Sequence, residues 1–188
     1  MVYISCVLSI LTLTRCVEED NTIPKPIGYF RIDMPAQEYS LYASECPYVF
    51  EKPEGAILMD KPGAKSPCFK DLYYPTLKAT VYFTYITIDS NFAEISKFTD
   101  DKVYEHHTMA SGIQPREFAN YEENVYGTAY SLMGDVAVNY LFFVTDSVNH
   151  YFAGQLYFES VPNYDSLQPC IQHIEADMQH LIETFKWK

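Results

Sequence analysis

The C-terminal segment carries the pattern that most constrains the fold, an apolar stripe at helical spacing. Apolar residues recur every three or four positions from 167 to 185, so they share one face of a helix. These residues are Leu167, Cys170, Ile171, Ile174, Met178, Leu181, Ile182 and Phe185. Asp165 or Ser166 is expected to cap the helix, with Pro169 tolerated in its first turn. So continuous an apolar face has to be buried, and we expect it to lie on a β-sheet.

The strands of that sheet are predicted by runs of β-branched and aromatic residues. The clearest run spans residues 79–88. Turn signals at Gly134-Asp135 and at residues 146–149 divide the later runs into strands at 124–132, 136–145 and 150–160. Shorter strands are predicted at 29–33 and 48–50, and the rest of residues 34–75 is expected to be irregular. Strands this close in sequence should pair as an antiparallel meander.

A second helix is predicted after the first long strand. Asn91 and Glu94 have the spacing of a capping box. The residues expected on its buried face are Phe92, Ile95, Thr99, Val103, His106 and Ala110. The predicted fold class is therefore α+β: an antiparallel β-sheet meander packed by two main helices, the second at the C-terminus.

Composition excludes several classes of partner. The formal net charge is −12, whereas binding to nucleic acid or to anionic lipid headgroups requires a basic surface. Hydrophobic residues make up 48% of the chain, which indicates a globular rather than a disordered protein. We therefore expect no nucleic acid partner, and any membrane attachment must come from a covalent lipid.

Cys16 supplies a candidate for that lipid. It closes an apolar N-terminal run that is typical of a secretory signal and is shorter than the roughly 20 residues needed to span a bilayer. Leu13, three positions earlier, favours a lipoprotein signal with an acylated Cys16, although Arg15 is unusual directly before such a cysteine. The sequence predicts a signal peptide at 1–15, a lipidated N-terminus and tether at 16–28, and a single α+β domain at 29–188. The alternative is an ordinary cleaved signal with an incidental cysteine.

The remaining cysteines of the mature chain are Cys46, Cys68 and Cys170. Cys46 and Cys68 bracket a stretch rich in proline and glycine, and a disulfide between them would close a loop of about 20 residues and contribute roughly 3 kcal/mol. Cys170 lies on the apolar stripe and is expected to be a buried free thiol. With three cysteines and no CxxC pair, a zinc site is not expected.

No catalytic constellation stands out. His173, Asp177 and His180 share one strip of the last helix, a pattern that can bind a divalent metal, but the strip falls at the rim of the apolar stripe and is expected to be a solvated face. His106 and His107 point in different directions, and His106 is expected at the boundary of the core. No nucleophile elbow or phosphate-binding glycine run is present, so we predict no catalytic residue, no metal and no cofactor.

Tyrosine is unusually frequent, with 17 residues beside 12 phenylalanines. Most are expected to pack in the sheet, because aromatic residues favour strands. The alternative is an exposed recognition surface. The candidates for it, all in predicted loops, are Tyr39, Tyr42, Tyr73, Tyr74 and Tyr164.

Five features are distributed in order along the chain. They are residues 24–33 (PKPIGYFRID), the cysteines in Cys46-Pro47 and Pro67-Cys68, residues 142–147 (FFVTDS), residues 162–167 (PNYDSL) and residues 180–187 (HLIETFKW). Together they resemble the gliding motility lipoprotein GldD family of Bacteroidota. The resemblance implies an envelope lipoprotein acting with the gliding machinery and the associated type IX secretion system. It transfers no catalytic residues.

The predicted function is that of a non-enzymatic, lipid-anchored accessory protein that acts through contacts with other gliding and secretion proteins, most plausibly at the outer membrane. The alternative is an envelope module that binds peptide, glycan or lipid. Glu18, Glu19 and Asp20 are either an export address for the outer face or only a solvated tether.

Overall fold

The computed structural model describes residues 32–106 and 108–188. Ten strands and two helices occur in this part of the chain. The strands are β1 (Tyr39–Ala43), β2 (Tyr48–Pro53), β3 (Ile57–Asp60), β4 (Lys70–Tyr74), β5 (Ala79–Thr87), β6 (Gly112–Asn120), β7 (Val125–Met133), β8 (Tyr140–Thr145), β9 (His150–Phe158) and β10 (Lys186–Trp187). The helices are α1 (Phe92–Glu105) and α2 (Tyr164–Glu183).

The centre of the fold is a seven-stranded antiparallel sheet with the order β3-β4-β5-β9-β8-β7-β6. A small second sheet, ordered β1-β2-β10, lies beside α2. The helix α2 and this small sheet pack on one face of the large sheet, whereas α1 packs on the other. The α+β class with two helices, the second at the C-terminus, is therefore confirmed.

The apolar stripe of α2 is buried as predicted. Its inward residues join a core that is dominated by aromatic rings from both sheets, among them Phe50, Phe83, Phe142, Phe152 and Phe185. Cys170 is buried and unpaired in this core. Tyr48, Tyr74 and Tyr140 are buried in the same core, so packing between α2 and the two sheets accounts for part of the aromatic excess.

One predicted helix cap is at the right position but lacks its side-chain bonds, and the other is misplaced. Asn163, not Asp165 or Ser166, caps α2, because its side chain accepts a hydrogen bond from the Ser166 N–H at 3.2 Å. Asn91 does occupy the cap position of α1, but its side chain accepts from the Asp89 N–H at 2.9 Å and makes no bond to the helix. The predicted capping box with Glu94 is thus absent.

The helix α1 is also shorter than its predicted apolar face. It ends at Glu105, so the half-buried His106 is its C-terminal cap and Ala110 lies in the following turn. Residue 107 lies outside the described part of the chain.

The strand predictions are right for the long inner strands and wrong at the edges. β7, β8 and β9 form the expected meander. β8 begins only at Tyr140, because the Asn139 side chain donates to the carbonyls of Leu132 and Gly134 and braces a loop there. Strand β6 and most of β1 to β4 were not predicted. Of the predicted strand at 29–33, residues 29–31 lie outside the described residues, and Ile32 and Asp33 are not in a strand.

Candidate functional site

One end of the large sheet is left uncovered on the α1 side. α1 packs over β7, β8 and β9, through Val103 against Leu132 and Leu141 and through Ile95 against Tyr151. In the described part of the chain, no helix packs on this side of β3, of β4 or of β5 near Tyr82. These strands present Ile57, Met59, Tyr73 and Tyr82, which we call the open face.

Strand register shows that these side chains share one face. Met59 pairs with Asp71, Asp71 with Tyr82, and Tyr82 with Gln155. Directly paired residues project to the same side of a sheet. Ile57, Met59 and Tyr82 remain 53%, 42% and 37% exposed. The open face is therefore a contiguous apolar surface at a sheet edge rather than a set of scattered side chains.

A cavity of about 350 Å³ continues the open face beneath α1. Tyr82 lines both, and the other apolar walls come from Ile86, Ile95, Leu141 and Ala153. The hydroxyls of Thr99 and Tyr151 are hydrogen-bonded to each other at its floor, and the Thr99 hydroxyl also lies 3.1 Å from the Ile95 carbonyl. Burial raises the pKa of Tyr151. Asn91, Glu94, Lys102 and Gln155 also line the cavity, so it combines apolar walls with polar and charged groups.

Charged side chains border the open face. The Lys61 ammonium lies over the Tyr82 ring, 5.4 Å from its centroid. Asp71 is buried between Met59 and Tyr82, and one of its carboxylate oxygens has no hydrogen-bond partner among the described residues. Desolvation raises the pKa of Asp71, and the positive charge of Lys61 opposes that shift. The open face thus has a buried carboxylate between its apolar side chains and a lysine beside Tyr82, a mixture of apolar and polar groups that is common where proteins dock.

The predicted metal strip on α2 is a hydrogen-bonded junction rather than a solvated face. Asp177 is 1% exposed, and its two oxygens accept hydrogen bonds from the hydroxyls of Tyr39 and Tyr74, each at 3.0 Å. His173 Nε2 lies 3.7 Å from the same carboxylate. The expectation of a solvated face is therefore wrong for Asp177, because β1 and β4 supply tyrosines that cover this side of the helix. Within residues 32–106 and 108–188, no group of three or more histidine, cysteine or acidic side chains has the geometry to hold a metal.

The third member of the strip, His180, belongs to the same junction. Its imidazole stacks on the Tyr39 ring, with centroids 3.7 Å apart, and its Nε2 lies 2.7 Å from Glu51 Oε2. Burial and the bond to Asp177 raise the pKa of Tyr39 to about 12. These contacts join β1 and β2 to α2, which is a structural role.

Comparison with known proteins identifies the family. The sequence model of the gliding motility lipoprotein GldD family matches residues 19–187. The chain belongs to this family. No curated protein matches it in sequence.

The fold is shared with a protein of very different sequence. The solution structure of cyanobacterial PsbP (CyanoP) from Synechocystis sp. PCC 6803 is similar, with a TM-score of 0.51 and 12% sequence identity. The similarity covers 87% of this chain and 99% of the cyanobacterial chain. At this identity the likeness concerns the fold alone.

Family membership associates this chain with gliding motility lipoproteins, but it identifies no functional residues. Cys16 lies outside the described residues. Cys46 and Cys68 are joined by a disulfide, with Cα atoms 5.6 Å apart. Among the described helices, none has the length and apolar character to cross a bilayer.

The tyrosines proposed as a recognition surface are mostly elsewhere. Tyr39, Tyr42, Tyr73 and Tyr74 lie in strands, not loops, and Tyr164 opens α2. Only Tyr73 belongs to the open face. Ile57, Met59 and Tyr82 were missed, and the available signal was the alternation of Ile57 and Met59 within a short segment.

Proposed function

We propose that this chain is a lipid-anchored accessory protein of the gliding and type IX secretion machinery, and that it acts through protein contacts at the open face. The observation that carries the proposal is the open face itself, where strand register brings Ile57, Met59 and Tyr82 to one side of the sheet and leaves them exposed. Exposed apolar surface that is contiguous and bordered by polar groups is typical of interaction sites. No enzyme activity is part of the proposal.

The geometry of the edge favours a protein partner. Among residues 32–106 and 108–188, β3 pairs with β4 alone, so its other edge has backbone groups with no strand partner there, beside the apolar side chains. A partner strand can add to such an edge while its side chains fill pockets on the same face. The cavity beneath α1 continues from Tyr82 and can receive one large apolar side chain of that partner.

Anchoring would assist this contact. A lipid on Cys16 and the polar residues 17–28 would confine the domain to one membrane surface, most plausibly the outer membrane. Confinement raises the effective concentration for partners held in the same membrane. The acidic net charge leaves the covalent lipid as the means of attachment.

Deletion of the gene followed by complementation tests the function. We expect the deletion strain to retain cargo bearing type IX secretion signals, or to lose surface spreading where the source strain spreads. The wild-type gene should restore the phenotype, whereas Met59→Lys should not, because it places a charge in the open face. Leu41→Lys is the control, since Leu41 is an exposed apolar residue on β1, outside the open face. Normal secretion and movement after deletion would contradict the proposed function. Full complementation by Met59→Lys would show that the protein does not act through the open face.

A second candidate function is supported by the cavity beneath α1. At about 350 Å³ it lies near the lower end of the size range of small-molecule sites, roughly 300–1,000 Å³. An envelope module for an apolar or lipid-like ligand would use it. Mass spectrometry of small molecules extracted from the purified protein distinguishes the two functions. A ligand-binding module should yield about one small molecule per protein chain, whereas a cavity that receives a partner's side chain should yield none.

A further inference from the structure

A carboxylate without a partner lies in the middle of the open face. Asp71 on β4 stands between Met59 on β3 and Tyr82 on β5 in the strand register. The residue is 9% exposed, and its Oδ1 atom has no hydrogen-bond partner among the described residues. A carboxylate oxygen that is removed from water without gaining a donor is costly, so native proteins rarely retain one without a reason.

Asp71 lies at the surface of the sheet and not in the core between the two layers. Its register partners Met59 and Tyr82 project to the same side and are themselves 42% and 37% exposed. Exposed side chains change rotamer on the picosecond to nanosecond scale, and methionine is especially adaptable. A guest on the open face therefore reaches the carboxylate by moving the side chains beside it, without opening the core.

Lys61 does not supply the missing partner. Its ammonium lies over the Tyr82 ring, and no ion pair joins it to Asp71 in the described part of the chain. The positive charge of Lys61 lowers the pKa of Asp71 while burial raises it, so the two groups interact only through space. Lys61 is half-buried and has the Tyr82 ring, whereas Asp71 is nine-tenths buried with a bare oxygen. The group that lacks compensation at this place is the anion.

This inference rests on the proposed docking at the open face and specifies the chemistry of the partner. We propose that an extended segment of a partner protein pairs with the free edge of β3 and places a lysine or arginine side chain against the Asp71 carboxylate. A neutral donor would leave the buried charge uncompensated, and an acidic side chain would be repelled by it. The formal net charge of −12 on this chain also favours the approach of a basic partner.

The geometry of an added strand selects a long cationic side chain. A strand beside β3 would lie two strand spacings, roughly 10 Å, from β4, with Met59 between the new strand and Asp71. Lysine and arginine can lay an aliphatic stem along an apolar surface while the charged group extends beyond it. The stem would pack on Met59 and the charged group would reach Asp71. Residues two positions away in the partner strand would face the same side and are expected to be apolar.

Selection from a displayed library of random decapeptides tests the inference on the immobilised full chain in detergent. Wild type, Asp71→Asn and Met59→Lys are used in parallel. We expect wild type to enrich peptides with a lysine or arginine at one fixed position and apolar residues two positions to either side. Asp71→Asn should lose the preference for the basic residue, and Met59→Lys should lose enrichment altogether.

Titration calorimetry with a selected peptide measures the pairing. Replacing the basic residue of the peptide by glutamine, or using Asp71→Asn, should weaken binding at least about tenfold, and both changes together should cost little more than either alone. Asp60→Asn is the matched control and should bind normally, because Asp60 projects to the opposite face of β3 and already pairs with Lys70. Lys61→Gln should not weaken binding, since it removes a competing cation.

Stability separates recognition from a role in the fold. Asp71→Asn should not lower the free energy of unfolding of the free chain, because it removes a buried charge that has no partner. A clear loss of stability would assign Asp71 to the fold and overturn the inference. The peptide change on the wild-type chain tests the pairing independently of that variant.

The remaining outcomes distinguish this inference from the proposed function. Peptides that depend on Met59 but carry no basic residue, or that ignore Asp71→Asn, would overturn the inference and leave docking at the open face standing. The absence of any Met59-dependent peptide would overturn both the inference and that docking mode, while gene deletion still tests the function separately. A chain that sediments as a dimer, and as a monomer after Met59→Lys, would assign the surface to a second copy instead.

Discussion

The Asp177 carboxylate in the middle of α2 accepts a hydrogen bond from the Tyr74 hydroxyl on β4, at 3.0 Å and in the buried core. The second oxygen of Asp177 accepts from Tyr39 on β1, which lies 138 residues away in sequence. One side chain therefore ties a helix to both sheets. A charged or strongly polar group this deep in a core is tolerated only where its hydrogen bonds are made.

Asp177→Ala should lower the free energy of unfolding by about 2–4 kcal/mol, because it leaves the buried Tyr74 hydroxyl without an acceptor. Tyr39→Phe should cost less, about 1 kcal/mol, because Tyr39 is only half-buried and Tyr74 keeps its bond to the carboxylate. Urea unfolding measures both. Asp101→Ala on the exposed side of α1 is the control and should change little. A cost for Asp177→Ala no larger than that of the control would show that the junction does not stabilise the fold.

The same junction predicts how stability responds to alkali. The pKa of Tyr39 is about 12 in the folded protein against 10.0 for an unperturbed tyrosine. Between these values the unfolded chain loses this proton and the folded chain keeps it, so the stabilisation is complete below pH 10 and is lost as the pH rises towards 12. Tyr39→Phe should therefore make stability fall less steeply over this range in urea unfolding at stepped pH. Tyr121→Phe, at an exposed position, should leave the slope unchanged, and equal slopes for both variants would contradict the assignment.

Gly154 on β9 makes room for the Phe142 ring on β8. A Cβ at position 154 would lie 2.3 Å from the Phe142 Cε1 atom, closer than real contacts allow. Gly154→Ala should destabilise the fold by about 1–3 kcal/mol through overpacking. Adding Phe142→Leu should recover part of that loss of stability. The control is Phe118→Leu, because the Phe118 ring lies beside Gly127; combined with Gly154→Ala it should lower the free energy of unfolding by the sum of the two single effects. A double-mutant cycle in urea measures the coupling, and strict additivity for the first pair would be the contrary result.

The disulfide between Cys46 and Cys68 is checked by thiol labelling. When the mature protein is denatured without reduction, a maleimide probe should label Cys170 and spare the other two cysteines, which mass spectrometry of the peptides resolves. Reduction should lower the free energy of unfolding by roughly 3 kcal/mol for a separation of 22 residues. Labelling of Cys46 and Cys68 before reduction would show that the bridge does not form in the envelope.

The sequence predicts those helices and strands whose apolar residues follow a regular pattern and are buried in the fold. The stripe of α2 and the dense apolar runs of β5, β8 and β9 carry that signal. β6 lacks it, because its residues are mostly exposed and it includes Pro115, Arg116 and Glu117; pairing with β7 alone makes it a strand. The cap of α2 was misplaced because Asn163, Asp165 and Ser166 are all residue types that can cap a helix.

The candidate sites were harder to predict because each is made by strand register. Met59 and Tyr82 become neighbours only through Asp71 on the strand between them. A helical wheel places Asp177 at the rim of the apolar stripe, and only the distant Tyr39 and Tyr74 turn that rim into a buried position.

Lipidation of Cys16 remains a prediction from the sequence. It would determine at which surface of the cell envelope the protein acts. Cys16→Ser in the source strain should move the protein from the membrane pellet to the soluble fraction and abolish incorporation of an alkyne-labelled fatty acid. The physical reason is that the strongly acidic surface does not favour binding to anionic lipid, while acyl chains contribute about 0.8 kcal/mol per buried methylene group. Cys6→Ser, within the predicted signal, is the control and should leave both readouts unchanged. A membrane fraction that persists in Cys16→Ser would mean that a protein partner, rather than a lipid, holds the chain at the membrane, and would shift the anchoring role to the open face.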